Sequence, residues 1–198
     1  SSFRVQRAFT LHESAVLRAR AFSENKLPSN SMKWTFEKIT LKESEMINHP
    51  ENGILFSYYE GEMKSVFDML EMKPAVQGVM DNISIDHAPR EDHFGYIFTG
   101  FIKIPVDGIY YFYANSDDGS VLFIDDKELI NNDGSHSAYE NSGKIALKKG
   151  FHSFRILYFE DYEGQLLEMK IQGPDMEKQL ISEEMLFFER NQGLDNEK

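Results

Sequence analysis

Cysteine is absent from this 198-residue chain, and with it go disulfide staples, thiol nucleophiles and thiolate-bound zinc. Long apolar runs are absent too. No stretch reaches the roughly 20 residues a membrane-spanning helix needs, so no membrane insertion is expected. Positive charge is scarce and scattered: 21 Lys and Arg stand against 33 Asp and Glu, a formal charge of -12. Lys148-Lys149 is the nearest approach to a basic cluster, too small for a phosphate backbone, which argues against nucleic acid as a partner. No phosphate-binding loop, nucleophile elbow or paired-His zinc motif occurs. The opening Ser1-Ser2-Phe3-Arg4-Val5 has no signal-type apolar region, and the favoured reading is a piece of a longer exported chain, periplasmic, cell-surface or secreted.

What is present is a folded, β-rich pattern. Hydrophobic residues make up 41% and aromatics 13%, enough for a sizeable core. Val16 to Phe22 and Met32 to Phe36 alternate between apolar and polar residues and read as short strands around turn chemistry at 23–30. Residues 1–39 form a first section too small to be stable by itself. The polar stretch 40–52 reads as a linker. From Gly53 onward, apolar runs are punctuated by Asp107-Gly108, Asp118-Gly119, Asp133-Gly134 and Lys149-Gly150, with no convincing amphipathic helix between them. That predicts an all-β antiparallel sandwich or barrel over 53–190, with 191–198 as a disordered tail. In Leu166 to Gln172, Leu167, Met169 and Ile171 face inward. Val121 to Ile124 is apolar on both faces and belongs inside.

The stretch with most chemical interest is Gly108 to Asp125, two apolar strands flanking Asn115-Ser116-Asp117-Asp118-Gly119-Ser120. A turn needs Asn, Asp and Gly; it does not need adjacent carboxylates in a chain already so acidic. Successive strand residues face opposite sides, so Asp117 and Asp118 grip one ion only if the backbone leaves the strand conformation. The alternative is a tight turn in which both carboxylates accept backbone N–H bonds and bind nothing. His136 and His152 have no partner at metal-ligand spacing and are expected to be structural hydrogen-bonding residues. A glycosidase pair needs carboxylates about 5 to 9.5 Å apart across a cleft, which neighbouring residues in a turn do not offer. The chain is therefore read as non-catalytic.

Several motifs occur in order through this body: Tyr58-Tyr59-Glu60-Gly61, Phe98-Thr99-Gly100-Phe101-Ile102, Pro105 to Phe112, Ser116-Asp117-Asp118-Gly119-Ser120, Leu122-Phe123-Ile124-Asp125, Asn132 to His136, Leu147 to His152 and Gly173-Pro174. Collinear across two thirds of the chain, they make it similar to the PA14 domain, a β-sandwich common in bacterial glycosidases and yeast adhesins. The resemblance implies carbohydrate binding, with a cis peptide between Asp117 and Asp118 and a calcium ion bridging protein and sugar hydroxyls. Calcium accepts 6 to 8 oxygen ligands in loose geometry. Adhesins add an Asn and backbone carbonyls from a later loop. Here that region is Glu160-Asp161-Tyr162-Glu163-Gly164, which has no Asn, and Asp161 is the chemical substitute. Tyr139 and Tyr162 are the aromatic faces available for stacking on a sugar.

The first section resembles the C-terminal part of an immunoglobulin-like module that follows the catalytic domain in chitobiases and β-hexosaminidases, through Ala8 to Leu11, Glu13 to Phe22 and Pro28-Ser29. Its usual opening strand pair is missing. Together the resemblances imply the accessory region of an exported β-hexosaminidase-like glycoside hydrolase, with a glycan and the parent's catalytic domain as partners. The competing reading is a structural spacer or protein-interaction domain of the same parent with no ligand of its own.

Overall fold

The alternation of apolar and polar residues is realised as antiparallel strands in the computed structural model, which describes residues 7–23 and 26–190. The tail expected at 191–198 lies outside them. No helix of the described residues is long and apolar enough to cross a membrane. The chain divides into two units, Ser1–Thr40 and Leu41–Lys198.

In the smaller unit β1 (Ala15–Ala19) pairs with β2 (Met32–Phe36). Ala15, Leu17 and Ala19 stand opposite Phe36, Trp34 and Met32, while Val16 and Arg18 oppose Thr35 and Lys33. One face is therefore wholly apolar and the other mixed. Trp34 nevertheless keeps 42% of its surface open. The first strand stops at Ala19, short of Phe22. Ala21 N donates to Ser29 Oγ at 2.8 Å, and Ser29 N to Ala21 O at 2.9 Å, which takes the chain out of the ladder and into the turn.

The larger unit is an antiparallel β-sandwich. Its strands are β3 (Pro50–Asn52), β4 (Ile54–Glu60), β5 (Val76–Met80), β6 (Phe94–Ile104), β7 (Gly108–Asp117), β8 (Ser120–Ile124), β9 (Lys127–Asn132), β10 (Tyr139–Leu147), β11 (Gly150–Glu160), β12 (Leu166–Gly173), β13 (Met176–Leu180) and β14 (Leu186–Glu189). Four form one sheet in the order β10-β7-β12-β13. The other eight form the second, along the path β3-β14-β6-β11-β8-β9, with β4 on β6 and β5 on β4. The stretch read as a linker is drawn into this body: β3 pairs with β14, and Lys42 and Glu45 bridge to Leu147 and Phe151.

Period-two burial explains the core. In β7, Tyr110, Phe112, Ala114 and Ser116 point inward; in β11, His152, Phe154, Ile156, Tyr158 and Glu160 do. With Phe98, Leu122, Leu167, Met169 and Ile171 they fill the space between the sheets, each large apolar side chain contributing about 1.5 to 3 kcal/mol. A second cluster lies on the outer face of the eight-stranded sheet, where Val66 and Met69 of the 3-10 turn Val66–Glu71 cover Val121, Leu157 and Phe159. That cover is why β8 is apolar on both faces. Near the C-terminus Met185, Leu186 and Phe188 are buried, whereas Leu180 is exposed.

Candidate functional site

β7 and β8 are not a hairpin. They belong to opposite sheets, so the Asn115–Ser120 stretch is a corner carrying the chain from one layer to the other. The Asp117-Asp118 peptide bond at this corner is cis. The third partner comes from the large sheet. Glu160, the last residue of β11, places a carboxylate oxygen so that it and one oxygen each of Asp117 and Asp118 all lie within 4.8 Å of one another. Asp118 is buried and Glu160 is 0% exposed.

Backbone donors hold the two aspartates. His136 N donates to Asp118 Oδ1 at 2.7 Å and Asp161 N to Asp118 Oδ2 at 2.8 Å. Ala138 N donates to Asp117 Oδ2 at 2.8 Å. Two loops, 133–138 and 161–164, therefore close over the corner through main-chain N–H groups. Glu160 is treated differently. The Tyr158 hydroxyl lies 3.0 Å from its Oε2 and 2.7 Å from Asp117 O, while Oε1 is buried with no donor. Burial first, and then the charges of Asp118, Asp117 and Asp92, push the Glu160 carboxyl up to about 7 against the opposing Tyr158 hydrogen bond. Burial, followed by the Glu160 charge, also raises the Tyr158 phenol far above its ordinary value. A buried acceptor without a donor costs about 1 to 3 kcal/mol unless something else satisfies it.

Asp161 does not join this group. Its carboxylate turns away to Ser135 Oγ at 2.7 Å and Lys64 Nζ at 3.0 Å. Those hydrogen bonds, Ser135 first, hold its carboxyl below the usual range. Alternation along β11 accounts for the exchange, since Glu160 has the inward parity of Tyr158 and Asp161 the outward one. The same parity is the sequence signal for Glu160: a lone carboxylate at an inward position ending an apolar strand.

Tyr139 opposes Ser116 across the β10–β7 ladder and is 44% exposed, with Tyr162 65% exposed. Both therefore flank the corner with open rings. The His136 ring lies 4.3 Å from that of Tyr139, and its Nε2 and Nδ1 face Asn132 O at 2.8 Å and Ser137 O at 3.0 Å. His152, far along β11, is likewise bonded through both nitrogens. Both histidines tie loops together, as expected for structural residues.

Chemically, the corner offers hard anionic oxygens converging on one point, with an unsatisfied one among them. This donor set suits a hard divalent cation such as calcium.

Sandwich and acidic corner together define a recognised class of domain. Residues 50–185 match the family model of the PA14 domain, and the chain belongs to that family. Among curated proteins it is similar to anti-sigma-I factor RsgI3 of Acetivibrio thermocellus, 23% identical over 141 residues, which cover 71% of this chain and 22% of that protein. The chain thus spans about a fifth of this relative's length. Among solved structures, a PA14 sugar-binding domain from an RTX adhesin superposes with a TM-score of 0.58 at 16% identity, covering 69% of this chain and 98% of the other. The A domain of epithelial adhesin 9 from Candida glabrata, in complex with Galβ1-3GlcNAc, gives 0.60 at 11% identity, covering 76% and 95%. At these identities the structural likenesses establish the fold.

Proposed function

We propose that the sandwich is a glycan-binding module of a longer exported protein and that it holds its sugar through a calcium ion gripped by Asp117, Asp118 and Glu160. The observation that carries this reading is Glu160 Oε1, buried without a donor in a carboxylate facing two others within 4.8 Å. A cation there would satisfy the oxygen and offset the burial and the carboxylate repulsion that together raise the Glu160 carboxyl. Three protein carboxylates leave part of calcium's shell for water and sugar hydroxyls. Tyr139 and Tyr162 supply apolar faces on either side. The sugar-binding domain of the RTX adhesin and the disaccharide complex of the yeast adhesin support the ligand class.

The parent protein is a separate matter. A β-hexosaminidase-like parent is what the upstream resemblance implies, and the curated relative is instead an anti-sigma factor. This chain covers 22% of that relative, and glycan binding at the corner does not depend on the parent's activity. The module itself is read as binding, not cleaving.

The spacer reading draws on Asp118, whose two oxygens already accept main-chain donors. A glycan array probed with calcium and then with chelator decides between them. Binding that needs calcium and is lost in Asp117→Asn supports the module. Binding that persists in chelator removes the ion from the reading, and no binding at saturating calcium leaves the spacer.

A further inference from the structure

The segment 41–45, which enters the larger unit, belongs to no strand but is bonded along its length. Lys42 N donates to Ala146 O at 2.8 Å, Lys148 N to Lys42 O at 2.9 Å and Glu45 N to Phe151 O at 2.8 Å. Side chains add to this: Lys42 Nζ to Asp125 O at 3.0 Å, Ser153 Oγ to Glu45 Oε1 at 2.7 Å, and the Lys148–Glu43 ion pair at 2.7 Å. A β-carbon on Gly150, at φ +134, would meet Ser44 Cβ at 2.5 Å, so the β10–β11 turn fits closely against the segment.

Behind these contacts lies His152, 0% exposed. Its Nδ1 is 2.8 Å from Asp125 Oδ2 and its Nε2 is 2.8 Å from Lys148 O. Both partners are acceptors, so both bonds form only when both ring nitrogens carry protons. Asp125 Oδ1 is buried with no partner of its own. Burial opposes the imidazolium, yet the hydrogen bonds to Asp125 and Lys148, with the Asp125 and Glu45 charges, outweigh it and raise the His152 pKa. The charged groups around this node are Asp125 and Asp126 of the β8–β9 turn, Lys42, Glu43 and Glu45 of the segment, and Lys148 and Lys149 of the β10–β11 turn. Asp107 of the β6–β7 turn accepts from Lys149 N at 2.7 Å.

We propose that protonated His152 is a pin that locks residues 41–45 onto the sandwich, and that loss of its proton frees this segment while both sheets stay folded. Neutral imidazole has a single N–H, so either Asp125 or Lys148 O loses its donor. Both residues also hold Lys42, one through Asp125 O and the other through Lys148 N, beside the Ala146 O that accepts from Lys42 N. A buried carboxylate left with no partner destabilises the turn it sits on, and that turn anchors Lys42. Because the folded-state pKa is raised, the stabilisation is fully present below the unfolded histidine value of about 6.5 and is lost as pH rises through the folded value.

Hydrogen exchange of the full chain at a series of pH values tests this, with rates corrected for intrinsic chemistry and His152 titrated in parallel by NMR. As His152 deprotonates, the Lys42 and Glu45 amides should lose about tenfold more protection than the Phe112 and Ile156 amides. In His152→Gln the difference should no longer depend on pH. Should that variant fail to fold, Asp125→Asn should move both the His152 titration and the exchange midpoint to lower pH. Segment amides that track the sheet amides throughout overturn the proposal, as does a pH-dependent loss that survives in His152→Gln or is unmoved in Asp125→Asn.

Discussion

A β-carbon placed on Gly164 would lie 2.8 Å from Asp117 Oδ2, so the glycine backbone packs directly on a carboxylate of the corner. Gly164 also sits at φ +95, a conformation other residues adopt at a cost of about 1 to 3 kcal/mol. Gly164→Ala should therefore lower the melting temperature and displace Asp117, weakening calcium binding as well. Calorimetry and a calcium titration on the same variant check both. Unchanged affinity would show that the loop does not set the Asp117 position.

Calcium should stabilise the wild-type protein saturably. At about 100 times the dissociation constant, one site adds about 2.7 kcal/mol, and for a chain of this size each kcal/mol raises the melting temperature by about 2 to 4 °C. The rise should vanish in Asp117→Asn. Asp118→Ala should be worse off even in chelator, since it strips acceptors from the part-buried His136 and Asp161 amides, at about 0.5 to 1.5 kcal/mol for each bond lost.

Without an ion, acid should favour the fold at this corner. The Glu160 carboxyl is raised to about 7 by its burial and carboxylate neighbours, so its contribution is fully present below the unfolded value of about 4.3 and is lost as pH rises through about 7. In chelator, stability should decline across that window. Glu160→Gln keeps the shape without the charge and should flatten the decline. A slope equal to that of wild type would assign the pH dependence elsewhere.

The two rings should matter for sugar and little for the fold. Tyr139 and Tyr162 are 44% and 65% exposed, so alanine at either position should leave the melting temperature within about a degree. Affinity for a bound glycan should fall by about 1 kcal/mol, roughly fivefold, for each stacking face removed. Titration calorimetry with an array-selected glycan would measure it. Full affinity in the double variant would place the sugar elsewhere.

Much of the sandwich was legible because burial on one face leaves a period-two record. Leu167, Met169 and Ile171 are buried as their alternation requires, and the Asp-Gly and Lys-Gly steps fall at strand ends. The corner was legible as chemistry and not as topology. Apolar arms on both sides of Asp117 and Asp118 fit a hairpin equally well, and only the pairing of β7 with β10 and β12, against β8 with β11 and β9, reveals a change of layer. Glu160 was overlooked in favour of Asp161, its neighbour in sequence. A one-residue shift reverses which way a strand residue faces, and the parity of Tyr158 decides it. The docking of 41–45 left no trace in the sequence, because polar residues bonded through their backbone look the same as polar residues in a free linker.

The change of layer at the corner has a mechanical consequence. Asp117 ends a strand of one sheet and Glu160 ends a strand of the other, and the facing sheets also meet through apolar side chains and through hydrogen bonds such as that from the Tyr158 hydroxyl to Asp117 O. An ion shared by these carboxylates would rivet the two layers at one rim. Force applied along the chain would then meet a fastener that closes with ligand, so that grip on a surface and resistance to shear would rise and fall together.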